Sequence, residues 1–344
     1  MSIQTLTKTV QFNCDLSDAK FAADYSICIY LIRMREYYRW AHNLSPNESL
    51  DQANLMDWVG EVETRWKQTD GLDLKPLEFE GDTFMPFDMH NINHKLHPQG
   101  LTYSAGIGRF NKPIFMLAEL ESVDIKPDYS LAISNRELAR ELTAPPATLQ
   151  QNNILIRKQA VARLIWDMFE EWQWHKPNNA MAKVVQHYGF EENPVQALEQ
   201  ASFEQREVLI LHELGELDAQ TILTPHWNEL LINANKHQQF FARATRDFLA
   251  DCLSTLPELL IRQQSACIHF YFASLTPMRK AMFPMLLDAY QQWCVNKAFT
   301  PLERAIKQGK SHWFNSAEHF IEQLNLGKMP ADKKLNHYIE QHIL

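Results

Sequence analysis

From about residue 149 to the C-terminus, apolar residues recur at three- and four-residue spacing between polar ones. This period predicts helices over 149–174, 180–187, 194–200, 203–217, 227–255, 257–272, 277–296 and 316–324, and a last one over 331–342. Pro257, Pro277 and Pro301 stand where such helices start or break. Near the other end, Ser17 and Asp18 have the chemistry of an N-cap for a helix running to His42, which Pro46 ends. A second helix is predicted over 50–67, and the segment 68–72 with Pro76 behind it is a turn. Between 77 and 133 the texture changes. Gly81, Gly100, Gly106 and Gly108 cluster among β-prone runs at 102–107, 114–120 and 129–133, with 108–112 as a hairpin connection. A short helix over 135–142 closes at Pro145-Pro146. The expected fold is mainly α: a multi-helix bundle with a small inserted antiparallel β-sheet. The proline pair divides the chain into N-terminal helices plus sheet (1–146) and a helical domain (147–344), with one intertwined unit as the alternative.

Composition narrows the classes. The chain has 344 residues, 45% of them hydrophobic, ample for a packed core. Its 33 basic and 42 acidic side chains give a net charge of −9, which supplies no basic face for nucleic acid. Ten glycines disfavour a glycine-rich doubly wound fold. The five cysteines, Cys14, Cys28, Cys252, Cys267 and Cys294, have neither zinc nor redox spacing and read as reduced thiols of a cytoplasmic protein. No run has the length of a membrane span, and residues 1–14 lack the apolar core of a signal peptide. The expectation is a soluble cytoplasmic protein of bacterial type.

The most informative stretch is 207–217. As a helix it is apolar on most of its surface, with Val208, Ile210, Leu211, Leu214 and Leu217, yet His212, Glu213 and Glu216 fall within an arc of about 100°. Carboxylates on a buried helix must be paired, protonated or bound to a cation. Partners stand on other predicted helices: Glu36 between Arg33 and Arg39, Glu170 in the Asp167–Glu170–Glu171 row, and Asp247 with Asp251 one turn apart. Helical proteins that bind iron or manganese draw inward-pointing carboxylates and a histidine from several helices. The spacing allows a second reading, in which Arg33–Glu36–Arg39, Arg163–Asp167 and Arg243–Asp247 are intrahelical ion pairs and need no metal. A separate metal cluster is conceivable at Asp88, His90, His94 and His97, although it matches no zinc-finger spacing and reads first as a polar surface loop entering the sheet.

Nucleophile elbows, a Walker phosphate loop and a complete dinucleotide fingerprint are missing from the sequence. The runs Gly100–Gly108, Leu211-His-Glu-Leu-Gly-Glu216 and 247–257 together resemble an uncharacterised family of bacterial proteins. The likeness extends from the Arg33–Arg39 helix to about Pro257, and no activity attaches to that family to be transferred. Two function classes follow from the residues. One is a metal-dependent oxidase or oxygenase-like helical protein, with iron or manganese held by His212, Glu213 and Glu216 plus Glu36, Glu170, Asp247 or Asp251, acting on a small-molecule substrate. The other is a non-catalytic module that binds a protein partner.

Overall fold

The computed structural model describes residues 2–223, 227, 231, 234–327, 339–340 and 342–344. Residues 331–338 and 341 of the helix expected over 331–342, and 228–230 and 232–233 of the one expected over 227–255, lie outside the described residues. Two compact units divide between Trp166 and Asp167.

The first unit opens with α1, Ile3–Phe21, capped by the Ser2 side chain on Thr5 N. Leu6, Val10 and Cys14, spaced four apart, are fully buried against Leu77, Phe79, Ile92, Leu101, Phe115 and Leu117. Ser17 and Asp18 are therefore not a cap. They lie inside α1, where Ser17 Oγ donates to Pro113 O at 2.5 Å and Asp18 pairs with Lys112 and accepts from Leu142 N at 2.7 Å. The expected long helix is interrupted at Ala22–Asp24, and α2, Ile27–Ala41, starts afresh from its own cap, Ser26. α3 spans Gln52–Lys67.

A small hairpin, β1 (Leu77–Phe79) with β2 (Asp82–Phe84), precedes α4, Met89–Leu96. The main sheet has five strands: β3 (Leu101–Ile107), β4 (Pro113–Ile125), β5 (Ser130–Arg140), β6 (Ala147–Gln150) and β7 (Asn153–Arg157), ordered β3-β4-β5-β7-β6. Its β5–β7 pair is parallel and the rest antiparallel, so the expected purely antiparallel sheet is corrected. The sheet is also larger than expected. Residues 135–140 continue β5 instead of forming a helix, and the predicted helix from 149 begins only at α5, Lys158–Gln173. Gln151 and Asn152, both at positive φ, close the β6–β7 hairpin with a two-residue turn. β6 and β7 lie beyond the proline pair and complete the sheet of the first unit.

In the second unit, α6 spans Ala180–Tyr188 and α7 spans Pro194–Ile222. α7 merges two predicted helices, because Ser202 Oγ donates back to Leu198 O at 2.5 Å and leaves no break. α8, Lys236–Ala250, starts at a capping box of Asn235 and Gln238 and runs into a π-helical turn, Asp251–Thr255. α9 (Leu256–Arg262), α10 (Ser265–Ser274), α11 (Pro277–Met282), α12 (Pro284–Asn296) and α13 (Thr300–Asn325) follow. The left-handed Gln263 separates α9 from α10, and Pro284 restarts the helix at α12. α7 packs on α8 and its π turn, and α13 packs on α8 and α12. The fold is mainly α with a β part. Among the described residues, no helix is long and apolar enough to cross a membrane.

Candidate metal centre

No residue from 207 to 217 is fully exposed, so α7 carries its polar arc inside the second unit. A glycine lets the facing helix reach it. A Cβ on Gly215 would stand 2.3 Å from Ala250 O, closer than any side chain allows, so α7 and the end of α8 approach backbone to side. This brings His212, Glu213 and Glu216 against the stretch that carries Arg246, Asp247 and Asp251. The π turn begins at Asp251, and the added residue in its ring re-aims the last turn of α8.

Asp251 is the anchor. It is 1% exposed, and its Oδ1 accepts from His212 Nδ1 at 2.7 Å and from Thr255 Oγ1 at 3.0 Å. Its Oδ2 accepts from Tyr271 Oη at 2.8 Å and pairs with Arg279. Burial pushes the Asp251 carboxyl up, but the His212 and Arg279 charges outweigh it and hold the pKa at about 2. Burial pulls His212 down, and the Asp251 charge overrides it, raising the imidazole to about 10. The Nδ1 edge of the ring is thus fixed, and Nε2 is directed to the other side, 3.8 Å from Glu216 Oε1.

There His212, Glu216 and Asp247 each offer one ligand atom, all within 4.8 Å of one another. Atoms each about 2.1 Å from one ion are at most about 4.2 Å apart, so closing the set on a cation takes movement on the order of half an ångström. Glu216 is buried and accepts from Arg246 Nη2 at 2.6 Å. Burial raises Glu216, and Arg246 followed by His212 brings it below the usual carboxylate range. Glu213 and Asp247 have no hydrogen-bond partner among the described residues. Burial, then the Glu216 charge, raises Glu213, and burial likewise raises Asp247 against the Arg279 and His212 charges. Four carboxylates thus stand at the centre, and two of them bond directly to a guanidinium. Once Nε2 gives up its proton, a histidine fixed in this way beside two further carboxylates could ligate a divalent cation. The remaining positions of an octahedral ion would stay open to water or substrate.

The other expected residues lie elsewhere. Glu36 belongs to the first unit, where it is buried and bonded to Arg35 Nε at 2.7 Å, with Arg39 Nε at 3.6 Å. Glu170 stands on α5 and is not in the group of converging ligand atoms. Asp88, His90, His94 and His97 are on or beside α4 and not in a loop. Asp88 caps the helix through Asn91 N, and Met89, Ile92 and Leu96 bury the opposite face. His90 and His94 are exposed, and His97 sits 3.5 Å from Thr102 Oγ1. Sequence reasoning missed Arg246, Tyr271, Thr255 and Arg279. Its expected partner, Arg243, enters through its charge on Glu216. Tyr271 and Arg279 come from α10 and α11, and only the fold brings them to Asp251.

Two family models match the chain: the family of unknown function (DUF6866) N-terminal domain over residues 5–157, and the DUF6866 C-terminal domain over residues 162–342. Between them they cover most of its length, and the chain belongs to this family, in keeping with the uncharacterised family that its motifs resemble. No curated protein and no solved structure matches it.

Proposed function

We propose that this member of the DUF6866 family is a metal-dependent enzyme of oxidase or oxygenase type. Its second unit holds one iron or manganese ion on His212, Glu216 and Asp247, and Asp251 orients the histidine. The observation that carries this reading is the convergence of those three ligand atoms within 4.8 Å, behind a histidine already fixed on its other nitrogen. Imidazole with carboxylates suits iron and manganese better than soft-ligand metals. Three protein ligands would leave room for dioxygen and substrate. Glu213, buried beside them and inclined to keep its proton, is the group placed to pass one to a bound substrate. The packing of α7, α8 and α13 supports treating the interior of this unit as a helical bundle, and five free cysteines favour a cytoplasmic location.

The test is metal analysis of protein purified without added metal, then titration with Mn2+. One ion per chain is expected. His212→Ala and Asp247→Asn should abolish binding, and Asp251→Asn should weaken it about 10–100-fold, as loss of an orienting carboxylate does. Glu36→Gln should leave it unchanged. A parent protein that takes up no stoichiometric Mn2+ or Fe2+ overturns the reading.

A second reading, a protein-binding module, is favoured by one feature of the first unit. The start of α2 exposes Ile27, Ile29, Leu31 and Ile32, with Ile27 at 68%. Exposed apolar clusters of this kind mark interaction surfaces.

A further inference from the structure

We propose that the substrate handled at this centre carries an oxyanion, a carboxylate or phosphate group, that ligates the cation and is gripped by Arg246. The proposal rests on the metal reading above and names the chemistry the site would accept.

Arg246 is 8% exposed, yet its bonding is incomplete. Nη2 donates to Glu216 Oε1, while Nε is buried with no hydrogen-bond partner. Asp247 and Glu213, the other two carboxylates whose charges reach this guanidinium, make no hydrogen bond to it. Arg279 repeats the pattern: it pairs with Asp251 and leaves its own Nε buried and unmet. Proteins seldom bury a charged donor without an acceptor, and those that do keep it for a ligand or a water. Two such guanidiniums flank one candidate metal centre.

The distances fit a bridging anion. Arg246 Nη2 is 2.6 Å from an oxygen of Glu216. The same oxygen is 3.8 Å from His212 Nε2, and if it ligates the ion the guanidinium edge comes within about 5 Å of the metal. A carboxylate or phosphate spans this gap, with one oxygen on the ion and another accepting from the planar fork. A neutral apolar substrate would leave the buried donors unmet.

The test uses the full-length chain loaded with Mn2+. Acetate and inorganic phosphate are titrated separately, with the Mn2+ electron paramagnetic resonance spectrum and calorimetry as readouts. At least one anion should perturb the spectrum and bind about tenfold or more tightly with Mn2+ present than without, the size of one charge-assisted contact. Arg246→Gln should weaken the anion about tenfold when both proteins are compared at saturating Mn2+, so that any change in metal affinity is separated from the change in anion affinity. Arg246→Lys keeps the charge without the fork, so it should fall between the two, and it keeps the test open if Arg246→Gln fails to fold. Binding of acetate alone identifies a carboxylate substrate, and binding of phosphate alone a phosphate. The proposal is overturned if neither anion binds Mn2+-loaded protein, or if the Arg246 variants bind it like the parent. Failure of the parent to bind Mn2+ overturns the metal reading and this inference with it.

Discussion

At the scale of single residues, both units solve one problem in different ways: a carboxylate is buried and a cation must answer it. In the first unit the answer is a pair of guanidinium charges set around one carboxylate. Glu137 lies between Arg157 Nε at 2.8 Å and Arg140 Nε at 3.7 Å, and Arg157 Nη1 also donates to Glu141 at 2.9 Å. Burial pushes the Glu137 carboxyl up, but the Arg157 and Arg140 charges hold it at about 2. A carboxyl lowered by folding contributes stability that is complete above its ordinary value of 4.5 and is lost as pH falls toward about 2. Denaturation midpoints measured from pH 6 to pH 2 should therefore fall steeply below about pH 4.5 in the parent, and Glu137→Gln, less stable at neutral pH, should lose that acid dependence. An unchanged acid slope in Glu137→Gln would remove Glu137 from the account. In the second unit the answer is left open, since the Glu213 and Asp247 carboxylates have no hydrogen-bond partner among the described residues. Much of this was legible. The pattern of 207–217 requires Glu216 to be buried and to touch a cation, and the structure puts Arg246 there. Which arginine does so was not legible, because Arg246 and Arg279 reach the site through tertiary packing and no spacing rule on their own helices points to it.

At the scale of elements, one glycine sets the geometry of the centre. Gly215 sits between Glu213 and Glu216 on α7, and the backbone of Ala250 occupies the space a Cβ would need. Gly215→Ala must push α8 away, and the obstruction is backbone, which cannot rotate aside. Overpacking of this kind costs about 1–3 kcal/mol. The displacement should also pull Asp247 and Asp251 from His212, so thermal unfolding and Mn2+ titration should both show losses. A variant with parental Mn2+ affinity would show that the close approach does not position the ligands. The failures of pattern reading at this scale have physical causes. α1 was missed because Asn13, Asp15, Ser17 and Asp18 are polar residues on its buried side, bonded to loops and strands, which hides the apolar row of Leu6, Val10 and Cys14. β6 and β7 were read as helix because both strands are short. The turn that separates them, Gln151-Asn152, carries no glycine and reaches positive φ with ordinary side chains. α4, by contrast, reads as a loop because its two turns and C-cap carry three histidines and show little apolar surface, although Met89, Ile92 and Leu96 have helical spacing.

At the scale of the whole molecule, the division between Trp166 and Asp167 places the candidate centre in the second unit. The proline pair Pro145-Pro146 looked like the natural boundary, yet it only connects β5 to β6 within one sheet, and a strand pairing that crosses it leaves no mark on local composition. Two family models, one ending at 157 and the other starting at 162, fall on either side of the β7–α5 junction. Among the described residues, the candidate ligands and their side-chain hydrogen-bond partners come from α7, α8 and the π turn, and α10 and α11 supply the further partners of Asp251. Glu36, the one expected ligand from the first unit, is occupied by arginines of its own helix. The centre therefore needs nothing from residues 1–157 to assemble its donor set. A fragment of residues 158–344, beginning at the start of α5, should bind Mn2+ with an affinity within about threefold of the full chain, as independent sites in separate units do. Circular dichroism establishes that the fragment is helical, and calorimetry gives its affinity. A folded fragment that has lost Mn2+ binding would mean that residues of the first unit complete the coordination, and the assignment of three ligands to one unit would then fail.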